Sequence, residues 1–416
     1  MIKIAKIAYR NLLRYSRRTI LTSVLISIGI ASVLLFIAIA GSFKQLMIGQ
    51  ITDSMLGHLQ IHRKGYVSSV DNSPLDLNLN ARQLGKLKDV MSNEALVSSY
   101  SPRLKFSGML SSFQETTNIR LNGIIPELEN KTVPLLIQRV RGKPGSNETL
   151  SLKQGEVWIP ESLAKGMGLE IDSQVVLVAT NNDGSVNGIQ LKISGIVEAM
   201  TGPGGRDGYL HLEDARQLLR IEGEEINELA VRLGDFDHMN QVMTNLNTVL
   251  SEAKNKNGKP VFEIHTWEKL SPFSTIANII DLLTQTVKVV LIAIVLVSIM
   301  NVMLMAVYER IREIGTIAAM GTTPGKIRAL FLMEGLFLGI FGAAVGSAVS
   351  LVVIQILNWK TLTLAFGRQV LTITPSVSFS DVLLTALIVI VISALASLQP
   401  ALKASRLEPV DALRHS

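Results

Sequence analysis

The chain of 416 residues contains no cysteine, and only 18% of its residues are charged. Without cysteine, neither a disulfide framework nor a thiolate metal site can form. Soluble globular domains carry charge on about a quarter of their residues, so this deficit indicates a membrane protein. Hydrophobic residues make up 48% of the chain and concentrate in four long runs. A region of ordinary polarity separates the first run from the second.

Sequence patterns for nucleotide, metal or nucleophilic chemistry are also missing. Residues 321–327, GTTPGKI, are only superficially like a phosphate-binding loop, because the glycine spacing is short and Ile327 replaces Ser or Thr. His58 and His62 lie in an alternating stretch, where strand geometry separates them by about 13 Å, too far to share a metal. The sequence therefore predicts no catalytic residue, no metal site and no cofactor bound by this chain.

Positive charge is distributed unevenly along the chain. A net charge of +6 could suggest a nucleic-acid partner, but the excess lies beside the apolar runs. Residues 1–19 hold six basic residues and no acidic one, and residues 308–328 and 403–416 are also net basic. This is the positive-inside distribution, which places all three segments on the cytoplasmic side of a membrane. We expect contact with membrane lipid and no nucleic-acid partner.

The first two segments are predicted to be a surface helix and a membrane anchor. In residues 1–19 the basic residues recur every three or four positions, which predicts an amphipathic elbow helix in the headgroup layer. A disordered basic flank that only sets topology is the alternative. Residues 20–41 form the first span. This run is longer than the roughly 7–15 apolar residues of a signal peptide, so we expect an uncleaved anchor.

Residues 42–272 are predicted to form a large extracytoplasmic α+β domain between the first and second spans. A strand–helix–strand pattern at its end favours a small α+β layer. We expect one subdomain from residues 45–125 and 226–270, interrupted by a mostly β insertion at residues 126–225. Strands are predicted at 97–106, 116–125, 173–180, 187–198, 226–233 and 261–265, and helices at 213–220 and 237–254.

The remaining apolar runs predict three more membrane helices. Residues 273–307 would form one long helix that begins outside the membrane, includes the second span and joins the soluble domain to the bilayer. Residues 331–357 and 381–399 are the third and fourth spans, and residues 358–380 are a short periplasmic connection. The tail, residues 400–416, then lies in the cytoplasm with the N-terminus. The fold class is thus an α-helical membrane protein with four transmembrane helices.

The third span contains glycines at steps of four, three and four, which share one helical face. Because glycine has no side chain, a second helix can approach such a face closely. The packing helix belongs either to this chain or to another copy. The predicted helix-packing residues are Gly335, Gly339, Gly342 and Gly346.

The polar segment 308–330 lies between the second and third spans, and the rest of the chain is organised around it. Glu309, Arg312 and Glu313 have the spacing of residues that pair along one helix. We expect a compact cytoplasmic segment tied rigidly to two spans. An ordinary polar loop that obeys the positive-inside rule is the alternative.

Glycine and proline predict how this segment is divided. Gly315 and Gly321 would bracket a short helical piece at residues 316–320, and Pro324 would start the next element.

The segment resembles the permease subunits of ABC transporters of the MacB/FtsX superfamily. The resemblance rests on residues 308–321, YERIREIGTIAAMG, and on residues 400–414, PALKASRLEPVDALR. The order of one span, a large domain and three spans is similar as well. Residues 57–62, GHLQIH, and 212–219, LEDARQLL, resemble the lipoprotein-releasing LolC/LolE-like branch most.

The resemblance implies a non-catalytic subunit of the bacterial inner membrane. Two permease subunits, identical or different, would pair with a cytoplasmic ABC ATPase dimer, which would bind the ATP and Mg. ATP-driven closure of that partner would move the second span and the periplasmic domain. This transfer of movement across the membrane is called mechanotransmission. The implied ATPase-coupling residues are Glu309, Arg310, Arg312, Glu313, Ile314, Gly315, Thr316, Ala319 and Gly321.

The resemblance also implies the architecture and the role of the external domain. The domain would be MacB-like, with a porter-like base and a second lobe. Lipoproteins would be released from the inner membrane to a periplasmic carrier. The alternative is a mechanotransmission subunit of a MacB-like efflux or FtsX-like signalling complex. A loop that would hook the carrier, unless it is a passive turn, consists of Gly202, Pro203, Gly204, Gly205, Arg206 and Asp207.

Overall fold

The computed structural model of the protein divides the chain into two compact units. The helical unit consists of Met1–Leu46 and Ala277–Ser416, and the sheet unit consists of Met47–Ile276. The structure describes residues 2–72, 74–142, 151–181, 183–198, 207–255, 257–360, 362–366 and 369–407.

Helices form most of the helical unit and also occur in the sheet unit. In chain order they are α1 (Ile2–Arg14), α2 (Ser16–Ile51), α3 (Ala81–Asn93), α4 (Pro126–Thr132), α5 (Leu135–Gln138), α6 (Glu161–Gly166), α7 (Leu212–Leu219), α8 (Met239–Ser251), α9 (Trp267–Leu270), α10 (Phe273–Glu309), α11 (Ile311–Ala319), α12 (Pro324–Trp359), α13 (Phe379–Ala396) and α14 (Leu398–Ser405).

Strands occur in both units. They are β1 (Leu59–Arg63), β2 (Val97–Ser111), β3 (Thr116–Ile124), β4 (Val140–Arg141), β5 (Glu156–Pro160), β6 (Gln174–Thr180), β7 (Val186–Val197), β8 (Asp207–His211), β9 (Glu228–Leu233), β10 (Phe262–Thr266), β11 (Leu362–Phe366) and β12 (Gln369–Ile373).

Four helices in the described part of the chain are long and apolar enough to cross a membrane. The shortest of these has 27 residues, which at about 1.5 Å per residue exceeds the roughly 30 Å of hydrocarbon in a bilayer. The predicted four-span fold class is therefore confirmed. The four ranges are Ser16–Leu56, Phe273–Glu309, Pro324–Trp359 and Phe379–Ser405.

The helical unit is apolar on its outside as well as in its core. Leu21, Leu282 and Leu383 are each at least 60% exposed, while Phe331 and Ile299 are almost fully buried. Many exposed apolar side chains of this kind would be unfavourable in water and fit contact with lipid. Between the third and fourth spans, β11 and β12 pair as a short antiparallel hairpin.

The first half of the glycine stripe on α12 packs against the last membrane helix. A Cβ atom at Gly335 would lie 2.6 Å from the Cβ atom of Ser397, and one at Gly339 would lie 2.7 Å from the Cβ atom of Ser393. These separations are shorter than side chains tolerate, so the two helices could not approach as closely with alanine at these positions.

The second half of the stripe packs against α2. A Cβ atom at Gly342 would collide with the side chain of Ile26, and one at Gly346 would lie 2.8 Å from the carbonyl oxygen of Ser27. The Ser27 hydroxyl also donates to the carbonyl oxygen of Gly342, at 3.3 Å. Both packing helices therefore belong to this chain.

The sheet unit contains one ten-stranded sheet with strand order β10-β1-β9-β2-β3-β8-β5-β7-β4, and β6 pairs with both β2 and β7. The predicted strands are all present. The predicted helix at 237–254 is shorter, because a 3-10 turn at Phe236–His238 precedes α8 and Ser251 ends it.

The strand β2 belongs to both halves of this sheet. Its first part pairs with β9, and its second part pairs with β3 and β6. Leu104, Phe106 and Ile119 share a core with residues of β5–β8, so the expected division at residues 125 and 126 does not separate two cores. The reason is that β2 and β3 form one continuous antiparallel hairpin, which carries its apolar face into the second half.

A buried group of charges joins β2, β9 and α4. Arg103 lies 2.7 Å from a carboxylate oxygen of Glu129 and 2.8 Å from one of Glu228, and Lys105 lies 2.6 Å from the other oxygen of Glu228. Burial opposes ionisation of Glu228, but Lys105 and Arg103 outweigh it and lower the pKa of Glu228 to about 2. Removal of one member would leave an uncompensated buried charge.

His62 lies next to this group, stacked on Tyr66 with ring centroids 4.8 Å apart. Its Nδ1 donates to the carbonyl oxygen of Asn227 at 3.1 Å. Burial lowers the pKa of His62 from 6.5 to about 4. The imidazole is therefore neutral in the folded protein at neutral pH.

The neutral His62 should make stability depend on pH. The contribution of His62 to the free energy of unfolding is complete above pH 6.5 and is lost as the pH falls towards 4. The reason is that the unfolded chain binds the proton at a higher pH than the folded protein does. The total loss of free energy is about 3 kcal/mol. We expect the thermal midpoint of the purified protein to fall between pH 7 and 5, and to fall less in His62→Gln. His238→Gln, an exposed control, should keep the wild-type slope. An equal slope in His62→Gln would show that His62 does not carry this dependence.

The close packing at the glycines predicts that alanine substitutions at two positions of α12 change stability by different amounts. Gly346→Ala places a methyl group against backbone atoms of Ser27 and should destabilise the protein by about 1–3 kcal/mol. Gly325→Ala lies on the same helix with no atom within 4 Å of the added Cβ, and should be neutral or slightly stabilising. The measurement is the midpoint of SDS-induced unfolding in mixed micelles. Equal midpoints for the two variants would contradict close packing at Gly346.

Candidate functional site

The predicted coupling segment is a short helix held between two membrane helices. α10 ends at Glu309, Arg310 leaves the helical conformation with φ −112° and ψ 18°, and α11 begins at Ile311. The prediction of one helix that carries Glu309, Arg312 and Glu313 is therefore wrong. The break at Arg310 puts Glu309 on a different helix from the other two.

The glycines of the segment have different roles from those predicted. Gly315 lies inside α11 and is buried, so it does not mark an end of the helix. Gly321 does end it, because its φ of 88° is left-handed, and the N–H of Thr322 donates to the carbonyl oxygen of Ile317. Pro324 occupies the first turn of α12 behind the N-cap residue Thr323, as the sequence predicts.

The two faces of α11 have different environments. Ile314 and Gly315 are buried against the rest of the helical unit. The opposite face is exposed, and Met320 at its end is 73% exposed. The predicted coupling residues on and just after α11 therefore separate into a set that faces the helical unit and a set that faces away from it. The outward set is Arg312, Thr316, Ala319 and Gly321.

Arg310 is the centre of the inward contacts. Its guanidinium donates to both carboxylate oxygens of Glu334, at 3.1 and 3.3 Å, and to Glu313 Oε2 at 3.3 Å. Glu334 lies on α12 and is 3% exposed. Sequence reasoning missed Glu334, although an acidic residue inside an apolar run is itself a signal of a functional site.

The amino-terminal helix and Tyr15, the residue that follows it, complete this network. The Tyr15 hydroxyl donates to Glu313 Oε1 at 2.8 Å, and Asn11 Nδ2 donates to Glu334 Oε1 at 2.9 Å. The Arg310 guanidinium lies over the Tyr15 ring, 4.7 Å from its centroid. The network therefore joins α1, α11 and α12, and we call Asn11, Tyr15, Arg310, Glu313 and Glu334 the inner network.

The charges of the inner network reinforce one another. Burial alone would lower the pKa of Arg310, but Glu334 and Glu313 outweigh burial and raise it. Burial likewise works against the Glu313 carboxylate, but hydrogen bonds from Tyr15 and Arg310 hold its pKa below the ordinary value. Both groups stay charged near neutral pH, so the network is a permanent electrostatic link.

Glu309 is held by a separate contact on the first membrane helix. Arg18 Nη1 lies 3.4 Å from Glu309 Oε2, and its guanidinium also donates to the carbonyl oxygen of Val302. Among the described residues, no group of three or more His, Asp or Glu side chains could hold a metal. The arrangement can therefore fix the positions of the helices relative to one another.

The predicted carrier-binding loop is mostly outside the described residues. Gly202, Pro203, Gly204, Gly205 and Arg206 all lie there. Asp207 is described, and it begins β8 and lies 2.9 Å from Arg120 Nε on the neighbouring strand β3.

Two family models together match most of the chain. The model of the MacB-like periplasmic core domain matches residues 19–249, and the model of the FtsX-like permease C-terminal region matches residues 286–409. The second match includes α11 and the whole of α12.

Curated relatives extend over the same regions. The lipoprotein-releasing system transmembrane protein LolC of Neisseria meningitidis serogroup B is 23% identical, over 94% of this chain and 92% of its own length. The macrolide export ATP-binding/permease protein MacB of Bdellovibrio bacteriovorus is also 23% identical, over 94% of this chain but only 58% of its own length. The solved periplasmic region of MacB from Actinobacillus actinomycetemcomitans is 15% identical, with a TM-score of 0.37, over 54% of this chain and 94% of that structure.

The inner network predicts a non-additive effect on stability. Glu334→Leu alone leaves Arg310 buried without its main partner and should cost about 3 kcal/mol, whereas Arg310→Met/Glu334→Leu should cost less than that single change. The control Arg328→Met removes an exposed charge of the same helix and should change stability by less than about 0.5 kcal/mol. The measurement is again SDS-induced unfolding. Additive costs in the double variant would argue against a coupled buried pair.

Proposed function

The chain belongs to the family of FtsX-like ABC transporter permeases with a MacB-like periplasmic core domain, and from this we propose that it is the transmembrane subunit of an ATP-driven complex. A separate cytoplasmic ATPase dimer would bind ATP and Mg and hydrolyse the nucleotide. The chain itself would be non-catalytic and would pair with a second permease subunit, identical or different.

The orientation of the chain follows from its charges. The basic residues of the N-terminal segment and of the segment around α11 favour the cytoplasmic side of the inner membrane for both. With four spans, both termini then lie in the cytoplasm, and the sheet unit lies in the periplasm.

The observation that carries the coupling proposal is the two-sided character of α11. Its outward face, with Thr316 and Met320, is free to contact an ATPase, while its inward face is bound to α1 and α12 through the inner network. Such an arrangement passes a displacement from a partner to the membrane helices. The driving force requires that the partner bind two conformations differently, which ATP-dependent closure of the ATPase would supply.

Movement of α11 would reach the periplasmic side through α10. Only Arg310 separates the two helices, and α10 continues without interruption from Glu309 back to Phe273. A rigid helix of 37 residues transmits a shift at one end to the other end, because its backbone hydrogen bonds resist local bending. We infer that α10 is the mechanotransmission element.

Release of lipoproteins to a periplasmic carrier is the function that the relatives favour. The LolC relative is matched over almost its full length, and its name describes a lipoprotein-releasing system. Residues 202–207 would then contact the carrier. The MacB relative favours the alternative, a mechanotransmission subunit in efflux or FtsX-like signalling, but the chain spans only 58% of that protein.

The test is ATP turnover of the complex purified with its native ATPase. Glu313→Lys reverses a charge of the inner network and should abolish permease-stimulated turnover, while Met320→Asp on the outward face should weaken copurification of the ATPase. Glu252→Lys, the same reversal at an exposed site after α8, should behave as wild type. Unchanged turnover in Glu313→Lys, with the protein folded and inserted, would remove α11 from the coupling path.

Mass spectrometry of the same preparation separates the two functions. Lipoprotein release predicts that acylated proteins copurify, and that a photo-crosslinker at residue 206 captures a periplasmic carrier. Recovery of a hydrolase or an efflux adaptor, without any acylated protein, would favour the alternative. This outcome would leave the coupling result unaffected, so the two parts of the proposal can fail separately.

A further inference from the structure

Three helices of the helical unit line an open cleft of about 570 Å³ beside the inner network. This volume lies in the range of small-molecule sites, roughly 300–1,000 Å³. The walls are mainly aliphatic and come from α1, α11 and α12. The apolar wall residues are Ile4, Ile7, Ile314, Ile317, Ile327, Leu330 and Phe331.

Besides Arg310 of the inner network, two basic side chains line the same cleft from different helices. Arg14 is at the end of α1 and Lys326 is in the first turn of α12. The Arg14 side chain is 72% exposed and reaches Glu313 only at 4.0 Å, at the limit of an ion pair. No described acidic side chain lies within ion-pair distance of Lys326. Glu313, the acidic residue of the lining, is already bound by Tyr15 and Arg310.

The cleft lies where membrane helices end. Its lining includes residues from the start of α12 and from the middle of α11, and α11 is separated from the last residue of α10 only by Arg310. The amphipathic helix α1 forms one wall, and helices of this type lie at the boundary of headgroups and acyl chains. Lipids of the adjoining leaflet can therefore reach the cleft, and the basic residues of α1 would enrich anionic ones nearby.

We propose that the cleft binds one anionic phospholipid of the bilayer, with its phosphate between Arg14 and Lys326 and its acyl chains against the isoleucines. A free phosphate ion would make no use of the aliphatic walls. A peptide backbone would need hydrogen-bond partners for its N–H and C=O groups, whereas the exposed surface of the cleft is mainly apolar. An amphiphile with one negative charge satisfies both the walls and the two cations.

This site would influence the position of α11 independently of any ATPase. Ile314 and Ile317 belong to α11, whereas Ile4 and Ile7 belong to α1. A lipid that packs against both helices would hold them together next to the inner network. The lipid-binding proposal does not depend on the proposed coupling function, because it concerns the isolated permease.

Native mass spectrometry of the detergent-purified chain tests the charge requirement. Phosphatidylglycerol should bind about tenfold more tightly than phosphatidylcholine with the same acyl chains, the order of magnitude expected for two nearby basic residues. Arg14→Gln/Lys326→Gln should lose this preference. Lys6→Gln/Arg17→Gln, which removes two exposed charges that do not line the cleft, should keep it. Equal binding of both lipids, or an equal loss in the control, would overturn the proposal.

A second variant tests the apolar wall. Ile317→Trp fills the cleft and leaves both cations in place, so it should also lose phosphatidylglycerol binding, at an unchanged thermal midpoint. Ile7→Trp provides the same test from α1 if the first variant is unstable. Full competition by glycerol 3-phosphate would identify a site for free phosphate groups instead. Displacement of the bound lipid on addition of the ATPase would identify a protein interface. Either result would refute the proposal.

Discussion

The buried ion pair between Arg310 and Glu334 is the contact on which the organisation of the helical unit depends. Arg310 lies at the break between α10 and α11, and Glu334 lies more than two turns into α12. Two charges in such surroundings are tolerated only when each is compensated. Glu313, Asn11 and Tyr15 supply the additional hydrogen bonds, so the direction of α11 is set by electrostatics as much as by packing.

The helix α12 carries a second constraint of a different physical kind. Its glycines allow α2 to approach on one part of the helix and the last membrane helix on another. In a bilayer this close packing supplies much of the attraction between helices, because lipid provides no hydrophobic driving force for their association. One helix thus combines van der Waals contact along its length with the ionic contact nearer its amino-terminal end. A displacement of α11 would therefore move α12 as one rigid helix.

In the sheet unit, a single strand likewise takes part in two kinds of contact. β2 contributes to both halves of the ten-stranded sheet, and Arg103 at its middle binds Glu129 and Glu228 from two other elements. A shared strand and a buried charge group oppose independent movement of the two halves. This property suits a domain that is displaced as one body, as the proposed function requires, rather than one that closes on a ligand between two lobes.

The sequence alone determined the four spans, six of the strands and the first residue of α12, because hydropathy, periodicity and proline act locally. Only the tertiary structure decided which residues meet. Tyr15 and Glu313 are 298 positions apart, and Arg310 and Glu334 are 24 apart, so no local pattern predicts either contact. The same holds for the inward position of Gly315, since the break at Arg310 resets the helical phase. Long-range pairing depends on how helices pack, and packing is a property of the folded chain.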